Sequence, residues 1–368
     1  MRSEYPNPYR LFFPLGILSA VLGITLWFLF QYRLLDFYPR FSHANLMFMG
    51  FLWAFITGFL MTAVPKMFSV VCANLVETVV PALLIALQIV LNFFNLTELS
   101  VYLFGLQILM LGAFLVRRIL IKKQIPFEGF YFLPFAFVQG FIGVIGFMAE
   151  PNYSQVYLLS GQALVLNLIL GLGSRLIPVI SRCPNALTPD IPTLSKNRAF
   201  ILSLAILLNG GFLIEAFYNA QMGSVIKLVS VMIMSFCLLD LHKKPTAFGY
   251  AGYGLKISIV LLLLHSVIEA FWSVTIANAH ILYIGVFILV TLLVASRVML
   301  AHGKQNLGYE RDSKRLLAVI LLLLLATLFR VLADVYITGN LMKISVLLAT
   351  IAIVLWGHKF VKVLKVSK

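Results

Sequence analysis

Three histidines lie on, or at the entry to, three different apolar runs of this chain: His43, His265 and His280. Neutral imidazole is the usual ligand for haem iron, copper or zinc, and facing helices are where such ligands converge. A lone histidine in an apolar helix can equally bond a neighbouring helix, so it is the three together that point to a shared haem or metal site. Glu269 follows His265 by four residues, on the same helix face, where it can accept a hydrogen bond from the imidazole and fix its tautomer. Arg330 and Asp334 are also four apart. They read either as an internally satisfied ion pair, or as an arginine for a haem propionate or anionic intermediate beside a carboxylate that moves protons. Glu215 is a further acid of this kind, and Met47, four residues after His43, is either packing or a soft copper ligand.

The elements that must position these residues are membrane spans. Of 368 residues 61% are hydrophobic and 11% charged, with mean hydropathy +1.01, far from a soluble composition. The expected fold is all-α, a polytopic membrane protein with about twelve transmembrane helices, one transmembrane domain over 1–368 and no soluble domain. Twelve runs are long enough to cross a bilayer: 11–31, 45–64, 78–95, 100–117, 129–148, 155–175, 199–218, 223–241, 254–272, 279–299, 316–336 and 341–360. The first reads as a retained span, since it is longer than a signal-peptide core and lacks a small-residue cleavage site.

Charge orients the spans. Arg117, Arg118, Lys122 and Lys123 follow the fourth; Arg175, Arg182, Lys196 and Arg198 the sixth; Lys243 and Lys244 the eighth; Arg297, Lys304, Arg311, Lys314 and Arg315 the tenth; and the tail adds Lys359, Lys362, Lys365 and Lys368. The alternate connections hold only Arg33 and Arg40, so both termini are expected in the cytoplasm. His43, His265 and His280 then share the outer leaflet. His242 and His358 fall at cytoplasmic ends as solvated residues, and His302, 22 residues or roughly 33 Å along a helix from His280, belongs to the cytoplasmic face with Arg297.

Other features exclude functions. The formal charge of +15 could suggest nucleic acid, but the Lys and Arg sit in short loops beside spans, where lipid headgroups are the ordinary partner; the lipid bilayer is expected and nucleic acid is not. Cys72, Cys183 and Cys237 form neither CxxC nor CxxCH, so any haem is held non-covalently. Gly140, Gly143 and Gly146 have the spacing of close helix packing. Gly171-Leu172-Gly173-Ser174 follows no strand, so it is no phosphate loop; nucleophile elbow and HExxH are also missing, and no internal repeat stands out by eye, a twofold relationship between halves being left open.

Several motifs resemble those of a known family. Ser42-His43-Ala44-Asn45-Leu46-Met47-Phe48-Met49-Gly50-Phe51 with Gly58-Phe59-Leu60-Met61-Thr62-Ala63-Val64-Pro65 is similar to W-H-A-H-E-M-x-x-G-F and G-F-L-L-T-A-V-P of the NnrS family, bacterial membrane proteins with haem and copper linked to nitric oxide metabolism and nitrosative stress. Gly173-Ser174-Arg175-Leu176-Ile177-Pro178, Leu264-His265, His280 with Gly285, Ser296-Arg297-Val298-Met299-Leu300-Ala301-His302 and Phe329-Arg330-Val331-Leu332 follow in the family's order over most of the chain. Asn45 and Leu46 replace the second histidine and the glutamate of H-A-H-E, Lys66 replaces an asparagine, and Gly303-Lys304-Gln305 departs from the end of the L-G-H-T-G-R motif.

The resemblance implies a haem b protein of the bacterial inner membrane, acting on nitric oxide or protecting against it. His43, His265, His280 and Arg330 are the cofactor-binding candidates, the three histidines are the metal candidates, and Glu269 and Asp334 are the proton-moving groups. Copper is put in doubt by Asn45 and Leu46. Catalysis would need electrons from quinol or a redox protein. Two other classes stay open: a secondary transporter without a redox cofactor, and a non-catalytic assembly factor for a respiratory complex.

Overall fold

In lipid every backbone polar group must find its partner within the protein, and apolar runs of about 20 residues do so as helices. The computed structural model describes residues 7–124, 127–182, 198–272, 275–336 and 339–365, with side chains to residue 359. Cys183, Lys196 and Lys368 lie outside the described residues. All twelve expected runs are helices: α1 (Tyr9–Gln31), α2 (Arg40–Met67), α3 (Leu75–Phe93), α4 (Thr97–Leu120), α5 (Glu128–Ala149), α6 (Tyr153–Ile180), α7 (Arg198–Phe217), α8 (Ala220–Cys237), α9 (Tyr250–Phe271), α10 (Ile276–His302), α11 (Lys314–Val335) and α12 (Gly339–Lys365). Each is long and apolar enough to cross a membrane, which makes the chain an integral membrane protein; no strand occurs among the described residues.

Side-chain caps set several of the starts. Asn74 and Glu77 exchange hydrogen bonds at the head of α3, and Asn152, Asn219, Thr275 and Ser313 cap α6, α8, α10 and α11. The chain forms two compact units, one of residues 1–126, 140–161 and 357–368, the other of 127–139 and 162–356. In the first, Arg118 on α4 holds Glu77 through two 2.6 Å bonds. In the second, Asn167 and Asn209 exchange amide hydrogen bonds of 2.9 and 2.8 Å between α6 and α7, the polar glue expected between helices in lipid.

No repeat stands out in the sequence, yet one irregularity recurs every fourth helix. α2, α6 and α10 each contain a π-helical segment: Leu46–Leu52, Tyr157–Ala163 and Tyr283–Ile288. These three run to 28, 28 and 27 residues and are the most buried of the apolar spans, at 83, 72 and 78% of their apolar windows against 50% or less elsewhere. Each segment holds one glycine, Gly50, Gly161 or Gly285, against which another side chain packs: Ser19, Phe48 and Leu261 respectively. A π turn loosens the backbone ladder and frees carbonyls. In α2 the Ser19 hydroxyl donates to the Leu46 carbonyl at 2.7 Å, a contact that needs Gly50 to have no side chain. Gly143 behaves as its spacing suggested, packing against Leu159 and Ser160, whose hydroxyl donates to the Gly140 carbonyl at 2.7 Å.

Candidate functional site

The densest concentration of buried charge lies in the second unit and is centred on a residue the loop-charge reading passed over. Lys227 stands seven residues into α8, alone among apolar neighbours. Gly211 on α7 and Gly223 on α8 let these helices approach so closely that a side chain at Gly223 would collide with the Glu215 backbone. The lysine stem runs through this contact, and its ammonium lies on Glu215 Oε2 of α7, 2.7 Å from Glu269 Oε2 of α9, and 4.7 Å from the centre of the Phe212 ring. Side-chain exposure is 3% for Lys227, 14% for Glu215 and 9% for Glu269, so all three charges are withdrawn from solvent.

His265 completes the cluster. Its Nδ1 is 3.2 Å from the Asn278 carbonyl, and its Nε2, buried and without a hydrogen-bond partner, is 3.8 Å from Glu269 Oε1. The expected pairing of His265 with Glu269 is therefore present as a facing contact rather than a hydrogen bond. Tyr283, in the π segment of α10, accepts a 2.8 Å hydrogen bond from Gln162.

His43 and His280 occupy equivalent places in the recurring element. Each lies three residues before its π segment, His43 ahead of Leu46 and His280 ahead of Tyr283. The Nδ1 of His43 is 2.9 Å from the Gly23 carbonyl, and that of His280 is 2.6 Å from the Ile276 carbonyl. A carbonyl can only accept, so Nδ1 carries the proton in both and Nε2 holds the lone pair, the tautomer in which histidine ligates metals. Aromatic rings flank them, Trp27 at 5.8 Å from His43 and Tyr283 at 5.6 Å from His280, centre to centre. His43 belongs to the first unit, and His265 and His280 to the second. Met47 directs its sulfur towards the space over Gly23, a packing role. Among the described residues no three His, Cys, Asp or Glu side chains gather as a metal ion would require.

Arg330 and Asp334 on α11 form the i, i+4 ion pair at 2.8 Å, and the second carboxylate oxygen accepts from the Ala277 amide at 3.1 Å, tying α11 to the first turn of α10. Both oxygens are engaged structurally. Because Asp334 serves two partners, Asp334→Ala should lower the melting temperature of the purified protein more than Arg330→Ala, with each loss on the order of 1 kcal/mol, and the double variant should match Asp334→Ala. If Arg330→Ala alone proved the most damaging change, a further anionic partner of that arginine would be required.

His302 closes α10 at the end opposite His280, as its spacing implied. There Arg297 pairs with Glu310 at 3.0 Å. Burial pushes the Glu310 carboxyl above its ordinary value, with Arg297 and Arg182 acting in the opposite direction.

Asn45 and Leu46, where the similar motif has histidine and glutamate, are both fully buried. Asn45 donates to Asn92 Oδ1 at 3.0 Å and to the Thr97 carbonyl at 3.3 Å, and accepts from the Tyr157 hydroxyl at 3.0 Å. Asn92 in turn donates to Ser100 Oγ at 2.7 Å, and Gln107 donates to Gln88 Oε1 at 2.6 Å. This amide network does not fit copper at position 45, because the side chain is spent on hydrogen bonds and Leu46 offers no donor atom. The sequence signal for it was available: four amide side chains spaced through apolar runs, which cannot be left unsatisfied in a bilayer.

No curated protein matches this chain. The family model described as NnrS protein matches residues 5–366, nearly its whole length, and the motifs around His43, Arg175, His280 and Arg330 fall within that match. The chain belongs to the NnrS family.

Proposed function

We propose that this protein is a haem b-binding component of the nitric oxide response in the bacterial inner membrane, with both termini on the cytoplasmic side, an orientation that the Lys and Arg distribution supports. The observation that carries the reading is the matched placement of His43 and His280, each three residues before a π segment and each with Nδ1 bound to a main-chain carbonyl. π turns are frequent at functional sites, and a carbonyl-bound Nδ1 orients a ligating imidazole. These two histidines fit iron. His265 does not: its Nε2 faces the Glu269 carboxylate and the buried ion cluster, so we assign it to proton chemistry with Glu269. Asp334, engaged through both oxygens, we assign to structure.

When bound, the haem supplies an iron that takes nitric oxide. The chain's own part is to orient the imidazoles, exclude water with apolar helices and hold protons near the outer end of the second unit. Reduction of nitric oxide would further need electrons from quinol or a redox protein. Absorbance of protein purified from haem-replete cells tests the reading. A Soret band is expected, with haem retention reduced by about tenfold or more in His43→Ala and in His280→Ala. His302→Ala and His265→Phe should leave the band in place. Colourless wild-type protein would reject the haem assignment and favour a transporter, to which the buried charges are equally suited.

A further inference from the structure

The cluster of Glu215, Lys227, Glu269 and His265 is one proton short of neutral. Lys227 contributes one positive charge and the two glutamates two negative charges, and the imidazole with its proton on Nδ1 contributes none. A net charge enclosed among apolar helices is costly, and binding one proton removes it. We propose that these four residues form a proton-binding site, holding a single exchangeable proton on the Glu215 carboxyl and passing it to Nε2 of His265.

Geometry selects Glu215 as the resting place. Glu269 has Lys227 at 2.7 Å on one oxygen and the His265 ring 3.8 Å from the other, so it is the carboxylate that the imidazolium pairs with once the proton has moved; Glu215 has Lys227 alone and is the acid left to hold the proton beforehand. Glu215 is also the most exposed of the set, two residues from the end of α7 that faces the Lys- and Arg-poor connection, and so the place where water can refill the site. The receiving atom is the imidazole nitrogen that is buried, without a hydrogen-bond partner, and turned towards Glu269. When Glu215 gives up its proton and Nε2 gains it, the imidazolium lies against Glu269 and Glu215 becomes a carboxylate against Lys227. The cluster stays neutral throughout.

Other charges around the site do not supply that proton. The tenth helix presents the Tyr283 hydroxyl, a neutral phenol that adds no charge, and on α11 Arg330 and Asp334 pair with one another. The site stands independently of haem, since it uses neither His43 nor His280.

Infrared spectroscopy of the purified full-length protein, comparing H2O with D2O, counts protonated carboxyls directly. Glu310→Gln is the background for every sample, because that buried acid at the opposite end of α10 would contribute its own signal. At neutral pH the background protein should show one isotope-sensitive carboxylic-acid band from the cluster. Glu215→Gln should remove it while the protein still folds, because Lys227 and Glu269 are left as a balanced pair. Lys227→Met should raise the signal about twofold, both carboxylates then requiring a proton. His265→Phe should leave the band, since the proton rests on Glu215 and exchanges there with water. Absence of the band in the background protein, or a band unchanged by Glu215→Gln, would overturn the proposal, and the second test does not depend on Lys227→Met folding. A colourless protein with this band intact would sink the haem reading and leave the proton site standing.

Discussion

Lys227→Met should lower the stability of this protein by about 3–5 kcal/mol, the loss seen when one partner of a buried ion pair is removed and the other stays behind. Two carboxylates, 14% and 9% exposed, are then enclosed with no cation, and proton uptake limits the damage without restoring the contacts. Met keeps the stem atoms that pack beside Gly211, so the loss comes from the missing ammonium and not from lost packing there. Glu215→Gln should behave close to wild type. The triple variant Lys227→Met, Glu215→Gln, Glu269→Gln should recover much of the loss, because no charge remains buried; contacting groups of this kind are far from additive. Melting temperature in detergent at neutral pH separates these outcomes. Near-identical melting of Lys227→Met and wild type would mean that water reaches the cluster freely and that its charges are not enclosed.

The legibility of this chain follows from which forces a linear reading captures. Helix existence and number were readable because bilayer burial imposes a minimum apolar length, and the twelve runs are separated by charged or capping residues such as Asn74, Asn152 and Asn219. Ends moved where polar residues continue a helix beyond the apolar run: α2 begins at Arg40, ahead of the run at 45, and thereby carries His43 inside the helix. The i, i+4 pairs were readable as well, since 3.6 residues per turn puts Arg330 over Asp334 and His265 over Glu269 whatever the tertiary fold.

Partners from different helices were not readable. Lys227 has no charged residue within a turn on α8, so counting charges by loop passes over it, and only the packing of Gly211 against α8 brings it to Glu215. The π segments leave no compositional mark beyond a glycine apiece. Their recurrence in α2, α6 and α10 becomes visible only when backbone geometry is compared, and it is this recurrence that gives His43 and His280 equal standing while setting His265 apart.

Asn45 carries the second large expected effect. Asn45→Leu removes the bonds that the fully buried Asn45 makes to the Asn92 amide oxygen, the Thr97 carbonyl and the Tyr157 hydroxyl, the last of which keeps the Phe41 carbonyl, and should cost about 2–4 kcal/mol. Asn45→His is the sharper experiment because it restores the residue of the similar motif. Neutral imidazole offers one donor and one acceptor where the amide offers two donors and an acceptor, so at least one of the three bonds must be lost. With Leu46 still beside it, the new histidine gains no neighbouring carboxylate. Asn45→His is therefore expected to melt below wild type, by about 1–3 kcal/mol, and to purify without stoichiometric copper. Copper bound at one ion per chain, with stability unchanged or raised, would show that the amide network yields readily to a metal and that this chain has lost only the ligand and kept the site around it.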